Sequence, residues 1–340
     1  MMTESTAAFA RRIPKVEMHV HLEGSMQPDT LLRLARKHHV DIGADTVHDV
    51  ESLYGYTDFL HFLEVYQMST QVLRDAEDFA LITYEFLRNQ AAQNVRYSEV
   101  MVSLSDHLIR GIDAETVMQG ILEGQRRGEH DFKTRMAVIL DAGRQWPDLV
   151  PQVQQVAARY AGRGVIGFGI GGDEANFPPE LFTDEFAAAR EAGLRLTCHA
   201  GEVAGADSMW GAIALGAERL GHGVHAHDDP TLYAELRSRR VALDMCPVSN
   251  VRTGAIPTLH AHPIRRYLED GLLVTVNSDD PPMFGTSIAN EYRALAEDLG
   301  LERAQIAEIA LNGIRASFLP QDEKQRMEAE FRTAMGRLDE

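Results

Sequence analysis

Short runs of β-branched and apolar residues recur at 16–21, 94–102, 134–140, 164–170, 194–200, 219–224, 241–246 and 272–278. Each has the length of a strand rather than of a helix. Between them lie stretches whose apolar residues return every three to four positions, which predicts helices over Asp113–Gly128, Asp148–Tyr160, Pro179–Ala192, Ser208–Gly216, Pro230–Arg240 and Pro263–Asp270. Gly193 and Gly271 stand where a helix ends just before the next strand, in the left-handed cap position that glycine tolerates best. Strand and helix alternate through the second half of the chain, and eight such units argue for an α/β fold closed into a (β/α)8 TIM barrel over an open doubly wound sheet. The segment from Pro28 to Gln93 is too long for one crossover helix. It holds at least three helical patterns, including TDFLHFLEVYQMSTQVLRD, and predicts a helical insertion after strand 1, near the barrel mouth. From Glu302 onward the mixed acidic and basic pattern predicts C-terminal helices laid on as an appended cover. No Pro/Ser-rich linker, low-complexity run or internal repeat interrupts the chain, so residues 1–340 read as a single domain.

Composition narrows the class. A length of 340 residues is comfortable for a barrel, which typically needs about 250 and accepts insertions. The chain is 44% hydrophobic and 25% charged, and no apolar run approaches the roughly 18 residues of a membrane span. MMTESTAAFARR at the start lacks the apolar core of a signal peptide, so the expectation is a soluble, cytoplasmic protein with no membrane partner. Cys198 and Cys246 fall inside strand-like runs and read as buried, reduced thiols. A net charge of −18, with no compensating Lys/Arg cluster, opposes the counterion release on which nucleic-acid binding depends. The expected partner is a small molecule, and nothing in the pattern marks an oligomeric state.

Candidate chemistry begins at Val16–Gly24, VEMHVHLEG. Residues two apart in a strand point to the same face, so His19 and His21 project together and can grip one metal ion. In this fold function sits at the C-terminal ends of the strands, and polar residues collect there. GIGGDE, from Gly169 to Glu174, is a glycine-rich turn at strand four, LTCHAGE offers His199 and Glu202, RLGHG offers His222, and VTVNSDDP offers Asp279 and Asp280. Histidines from strands one and five and a carboxylate from strand eight can meet at the mouth, because strands one and eight are neighbours in a closed barrel. Such a set binds a divalent metal and leaves a position for water, whose acidity the metal raises, so the chemistry indicated is metal-assisted hydrolysis. Each element also has an ordinary reading: Glu202 as a helix cap, Asp279 and Asp280 as an Asp-Pro turn, His222 as a core histidine. Their collection at one end of the barrel favours the functional one. His225 and His227 lie beyond their strand in a loop or cap, His38, His39, His260 and His262 read as surface or cap residues, and Met209 with Trp210 reads as packing.

The strings HVHLEG, GGDE, HAGE, GHG, CPVSN and NSDDP, in this order from about Lys15 to Tyr292, resemble the adenosine deaminase family of the amidohydrolase superfamily. Any one of them is weak, whereas six in order at these spacings are specific. The resemblance implies a (β/α)8 barrel with one zinc ion per chain, held by His19, His21, His199 and Asp279. It implies further that Glu202 protonates purine N1, that His222 positions and deprotonates the attacking water, that Asp280 bonds N7 and that the Gly172 N–H meets N3. These roles agree with the residue chemistry: protonating N1 makes C6 electrophilic, water adds there, and ammonia leaves. The cysteine-paired zinc deaminase architecture is excluded because the chain has no C-x-x-C.

Within the family the substrate signals are mixed. Glu23 stands where adenosine deaminases usually carry the Asp that faces the ribose 5′-hydroxyl, and YSEVMVSL departs from their second strand, while GGDE keeps the nucleoside-type base site. That combination, with DFLHFLEVY and CPVSNVRTGAIPTLHAHPIR, resembles the deaminases acting on 6-aminodeoxyfutalosine, a 5′-extended adenine nucleoside of menaquinone biosynthesis. The resemblance places Arg252 opposite the benzoate carboxylate of such a ligand; a surface ion pair is its ordinary reading. Adenosine is the next candidate and free adenine the third. Two readings from other classes remain: a catalytically silent purine-binding module, against which the complete ligand set and Glu202 argue, and a two-metal barrel hydrolase, for which no suitably placed bridging lysine is found.

Overall fold

The computed structural model describes residues 5–339. Eight strands, β1 (Lys15–His21), β2 (Val95–Ser103), β3 (Arg135–Gly143), β4 (Val165–Gly171), β5 (Arg195–Ala200), β6 (Arg219–His222), β7 (Ala242–Met245) and β8 (Leu273–Val276), pair in parallel in sequence order. Every residue of β1 is buried, as expected of a parallel strand covered on both faces. The sheet closes between β8 and β1 through a short bridge rather than a full ladder. Val20 pairs with Asp279, the Asp279 N–H donates to the His19 carbonyl at 3.2 Å, and the His21 N–H donates to the Asp279 carbonyl at 2.9 Å. Just below, the Asn277 side-chain oxygen accepts from the Met18 and His19 N–H groups at 2.8 and 3.2 Å, so one amide replaces the missing ladder bonds. Both halves of the predicted metal set are thereby stitched to one another by backbone.

The barrel is the one the strand–helix alternation predicts, with Gly193 and Gly271 at positive φ where helices give way to strands. The apolar runs overshoot at β6 and β8, because the chain turns sharply at the residues that carry chemistry. His222 and Asp279 adopt φ of 64° and 63°, a left-handed conformation that ordinary side chains rarely take and that bends each out of its ladder. The insertion consists of helices Pro28–His38, Val47–Leu53, Phe59–Thr70 and Ala76–Ala92, the last opened by a capping box between Asp75 and Asp78.

The C-terminal region differs from the expected appended cover. Helix Arg303–Ala316 packs directly on β8 and β1 and buries Ile306, Ile309, Ala310 and Ile314. It is a wall of the barrel, placed where β8 needs its partner layer. Only Gln321–Asp339 lies outside it, held by Phe331 and Met335. The opposite end of the barrel is plugged by Arg219, which is 1% exposed. Its guanidinium pairs with Glu99 and, at 2.9 Å, with Asp244, and lies 3.9 Å over the Phe318 ring. A buried cation with two carboxylates and an aromatic face is paid back in pairing rather than solvation. Cys198 and Cys246 are buried and unpaired, as expected. Among the described residues no helix is long and apolar enough to cross a membrane.

Candidate active site

At the C-terminal ends of the strands, ring nitrogens of His19, His21 and His199 lie within 4.8 Å of one another, and a ring nitrogen of His19 lies within the same distance of groups on His222 and Asp279. Asp279 Oδ1 is 3.4 Å from Nε2 of both His19 and His21, and His21 Nε2 is 3.3 Å from His199 Nε2. The cluster is compact because its neighbours are small: a Cβ on Gly221 would stand 2.7 Å from the His19 ring, and one on Gly24 would overlap the Asp280 carboxylate.

Burial pulls His21 down to about 4, and it also lowers His199, so these imidazoles are neutral and present lone pairs. His199 Nδ1 lies 3.0 Å from the Ile170 carbonyl. That carbonyl can only accept, so the ring proton sits on Nδ1 and Nε2 is left free to ligate. Although burial alone would raise the Asp279 carboxyl, His19, whose Nε2 lies 3.4 Å away, holds it well below the ordinary range, and Ser249 Oγ donates to its other oxygen at 2.6 Å. Both ring nitrogens of His19 and Nδ1 of His21 are buried with no hydrogen-bond partner. Three histidines and an aspartate gathered within ligand distance of one another, with both nitrogens of His19 left without a protein partner, are the donor set of a divalent metal, so the residues present fit the ion.

The remaining groups carry protons. Burial, then the charges of Asp279 and Glu174, raise Glu202 well above the ordinary range. Asp280 is raised by burial and by the adjacent Asp279. Glu202 Oε2 is 3.4 Å from His222 Nε2, and Oε1 accepts from Thr253 at 3.3 Å. Glu202 does not cap a helix; its own loop is held by Glu174, whose carboxylate accepts from the N–H groups of Gly201, Glu202, Val203 and Ala204 at 2.6, 3.1, 2.9 and 3.0 Å and from Ser208 Oγ at 2.5 Å. The acid of GGDE thus serves the HAGE loop.

A cleft opens above these groups. His21, Gly172, His199, Glu202, His222, Asp279 and Asp280 line its floor, and Phe59, Phe62, Leu63 and Tyr66 of helix Phe59–Thr70 form an apolar wall. Glu23 is buried behind that wall. His107 Nε2 lies 2.8 Å from one of its oxygens, and the Tyr66 hydroxyl donates to the other at 3.4 Å. Against its burial, the His107 hydrogen bond keeps this carboxyl below the ordinary range. Arg252 is not brought to the cleft lining: its guanidinium donates to the Tyr54 carbonyl and stands 5.9 Å over the Tyr56 ring. Asp106, Asp141 and Gln145 also line the cleft and escaped the sequence reading, although Asp141 lies near the end of β3, where the same strand-end rule would have found it, and Asp106 sits in the short helix Leu104–Leu108 just after β2. His262 takes the cap alternative, closing the turn Leu259–Ala261, but it is 4% exposed and bonded to Asn250 rather than at the surface. His39 is the left-handed cap of helix Pro28–His38, and His260 is exposed, as expected.

Fold and site together define a barrel hydrolase of the amidohydrolase class. The chain belongs to the adenosine deaminase family, whose model, described as "Adenosine deaminase", matches residues 14–334. It is 40% identical over 333 residues to an aminodeoxyfutalosine deaminase of Streptomyces coelicolor, covering 96% of this chain and 85% of that one. It is 37% identical over 323 residues to an adenine deaminase of Cupriavidus necator, covering 94% and 92%. A crystal structure of an amidohydrolase from Burkhoderia ambifaria with bound Zn superposes with a TM-score of 0.91 at 27% identity, covering 99% of this chain and 95% of that one. The protein is a hydrolytic aminohydrolase, and its reaction is purine deamination.

Proposed function

We propose that the protein deaminates a 6-aminopurine nucleoside extended at its 5′ position, with aminodeoxyfutalosine as the substrate, using one zinc ion held by His19, His21, His199 and Asp279, in the cytoplasm. When bound there, zinc supplies a Lewis acid that makes water acidic near neutral pH. The chain's own groups do the rest. Glu202, kept protonated by burial, gives its proton to N1 of the ring and so makes C6 electrophilic. Asp280, also kept protonated, donates to N7, which in a 9-substituted purine offers only a lone pair. Gly172 lines the cleft where its N–H can meet N3. His222 faces the water that adds to C6, and ammonia leaves as the 6-oxopurine forms.

The observation that carries the substrate reading is the state of Glu23. The carboxylate that would meet a free 5′-hydroxyl is engaged by His107 and Tyr66, while the cleft continues along the apolar wall of Phe59, Phe62 and Leu63. Such a wall favours an aromatic 5′ extension over water. The 40% identical relative named for aminodeoxyfutalosine supports the same choice. The deciding experiment is kcat/KM for the 5′-extended nucleoside, adenosine and adenine side by side. The expected order places the extended nucleoside first; adenosine or adenine favoured by about tenfold, ~1.4 kcal/mol of transition-state binding, would overturn the substrate and leave the deaminase class intact.

A further inference from the structure

Two buried side chains behind His222 form a line with no role in the reading above. Asn250, in the short helix Pro247–Arg252, is fully buried, and His262, in the turn before helix Ile264–Glu269, is 4% exposed. Asn250 Nδ2 is 3.0 Å from His222 Nδ1, and Asn250 Oδ1 is 3.2 Å from His262 Nε2. At the far end the Ile264 backbone N–H donates to His262 Nδ1 at 3.3 Å.

Hydrogen-bond polarity can be followed inward from that backbone group, which is a donor and nothing else. His262 Nδ1 must therefore hold a lone pair. Burial pulls His262 down to about 3, so the ring is neutral and its single proton sits on Nε2, facing Asn250. That end of the amide must be the oxygen, which leaves the NH₂ facing His222. The reverse amide orientation would set Asn250 N–H against His262 N–H, or force the His262 proton onto Nδ1 against the Ile264 N–H. Either way two donors would meet in a buried site, a cost that the observed orientation avoids. His222 Nδ1 consequently accepts, and Nε2, 3.4 Å from Glu202 Oε2, is the one position that can carry its proton.

We infer that Asn250 and His262 are positioning residues that hold His222 in the Nε2–H form, so that it meets the reacting oxygen as a hydrogen-bond donor. This rests on the deaminase reading and sharpens it. The family resemblance gives His222 the task of taking the water's proton, whereas an Nε2 already protonated steers the oxygen and stabilises its charge. The acidity that a divalent ion confers on water removes the need for a base at this position.

The test uses zinc-loaded protein labelled with ¹⁵N-histidine, with the His222 signals assigned by their loss in His222→Gln. In the unmutated protein Nδ1 of His222 should resonate as an unprotonated and Nε2 as a protonated ring nitrogen. Asn250→Asp, which offers His222 an acceptor, should exchange the two shifts and lower kcat about 10–100-fold with KM little changed. His262→Gln, which keeps an N–H toward Asn250, should retain both the shift pattern and turnover, while His262→Leu should lose them. A His222 protonated on Nδ1 in the unmutated protein overturns the inference, and that spectrum decides it even if a variant fails to fold. Absence of activity on every 6-aminopurine would instead remove the deaminase reading and leave the ring-nitrogen shifts to judge the tautomer.

Discussion

His199 shows how the site is prepared one side chain at a time. The Ile170 carbonyl fixes its tautomer, burial keeps it neutral, and its Nε2 is turned to His21 Nε2 at 3.3 Å. His199→Ala should therefore strip the metal, with bound zinc falling from about one per chain to a small fraction by elemental analysis and activity falling with it. An active His199→Ala protein without metal would contradict the ligand set. The histidines and Asp279 were legible in the sequence because metal chemistry admits few residue types and the barrel confines them to strand ends. Glu174, Asn250 and His262 were not, since their value lies in bonds to residues far along the chain, such as Glu174 to Ala204 or Asn250 to His222. A carboxylate, an amide and an imidazole carry no local mark of that.

At the scale of elements, helix Phe59–Thr70 is what separates this cleft from a bare base-binding pocket. Phe59 and Leu63 line the cleft beside the histidine cluster while Phe62 anchors the helix against Phe284, ring centroids 4.8 Å apart. Phe59→Ala should raise KM for the 5′-extended nucleoside about tenfold, the ~1.4 kcal/mol expected for part of an aromatic contact, and leave adenine turnover unchanged. An equal loss on both substrates would place Phe59 in folding rather than recognition. The insertion was readable from its amphipathic periodicity, and the strands from their apolar runs to within a few residues. What periodicity could not say is which surface a helix covers. Arg303–Ala316 has the mixed pattern of a solvated helix, yet its Ile306, Ile309 and Ile314 fill the wall between β8 and β1.

For the molecule as a whole, closure of the barrel depends on buried polar groups at both ends. Lys15, fully buried at the start of β1, donates to the carbonyls of Arg11 and Ile13 at 2.8 and 2.9 Å and lies 5.2 Å over the Tyr292 ring. Burial nevertheless pulls its ammonium from 10.5 to about 7. Between those values the unfolded chain binds the proton that the folded one gives up, so this group makes stability rise with pH from about 7 to 10.5, while below about 7 both states hold the proton and its contribution levels off. Lys15→Met should flatten that part of the stability–pH curve in chemical denaturation; an unchanged slope would mean the folded protein keeps Lys15 charged.

The central claim is that a protonated Glu202, beside a metal-ligating cluster, drives deamination by delivering its proton to the purine ring. Glu202→Gln keeps the shape and the Thr253 contact but has no acid to give. The measurement is kcat on the preferred aminopurine together with zinc content. The account predicts about one zinc per chain, an unchanged fold and a kcat lower by about 10²–10⁴. A Glu202→Gln protein that turns over within a few-fold of the parent would contradict it.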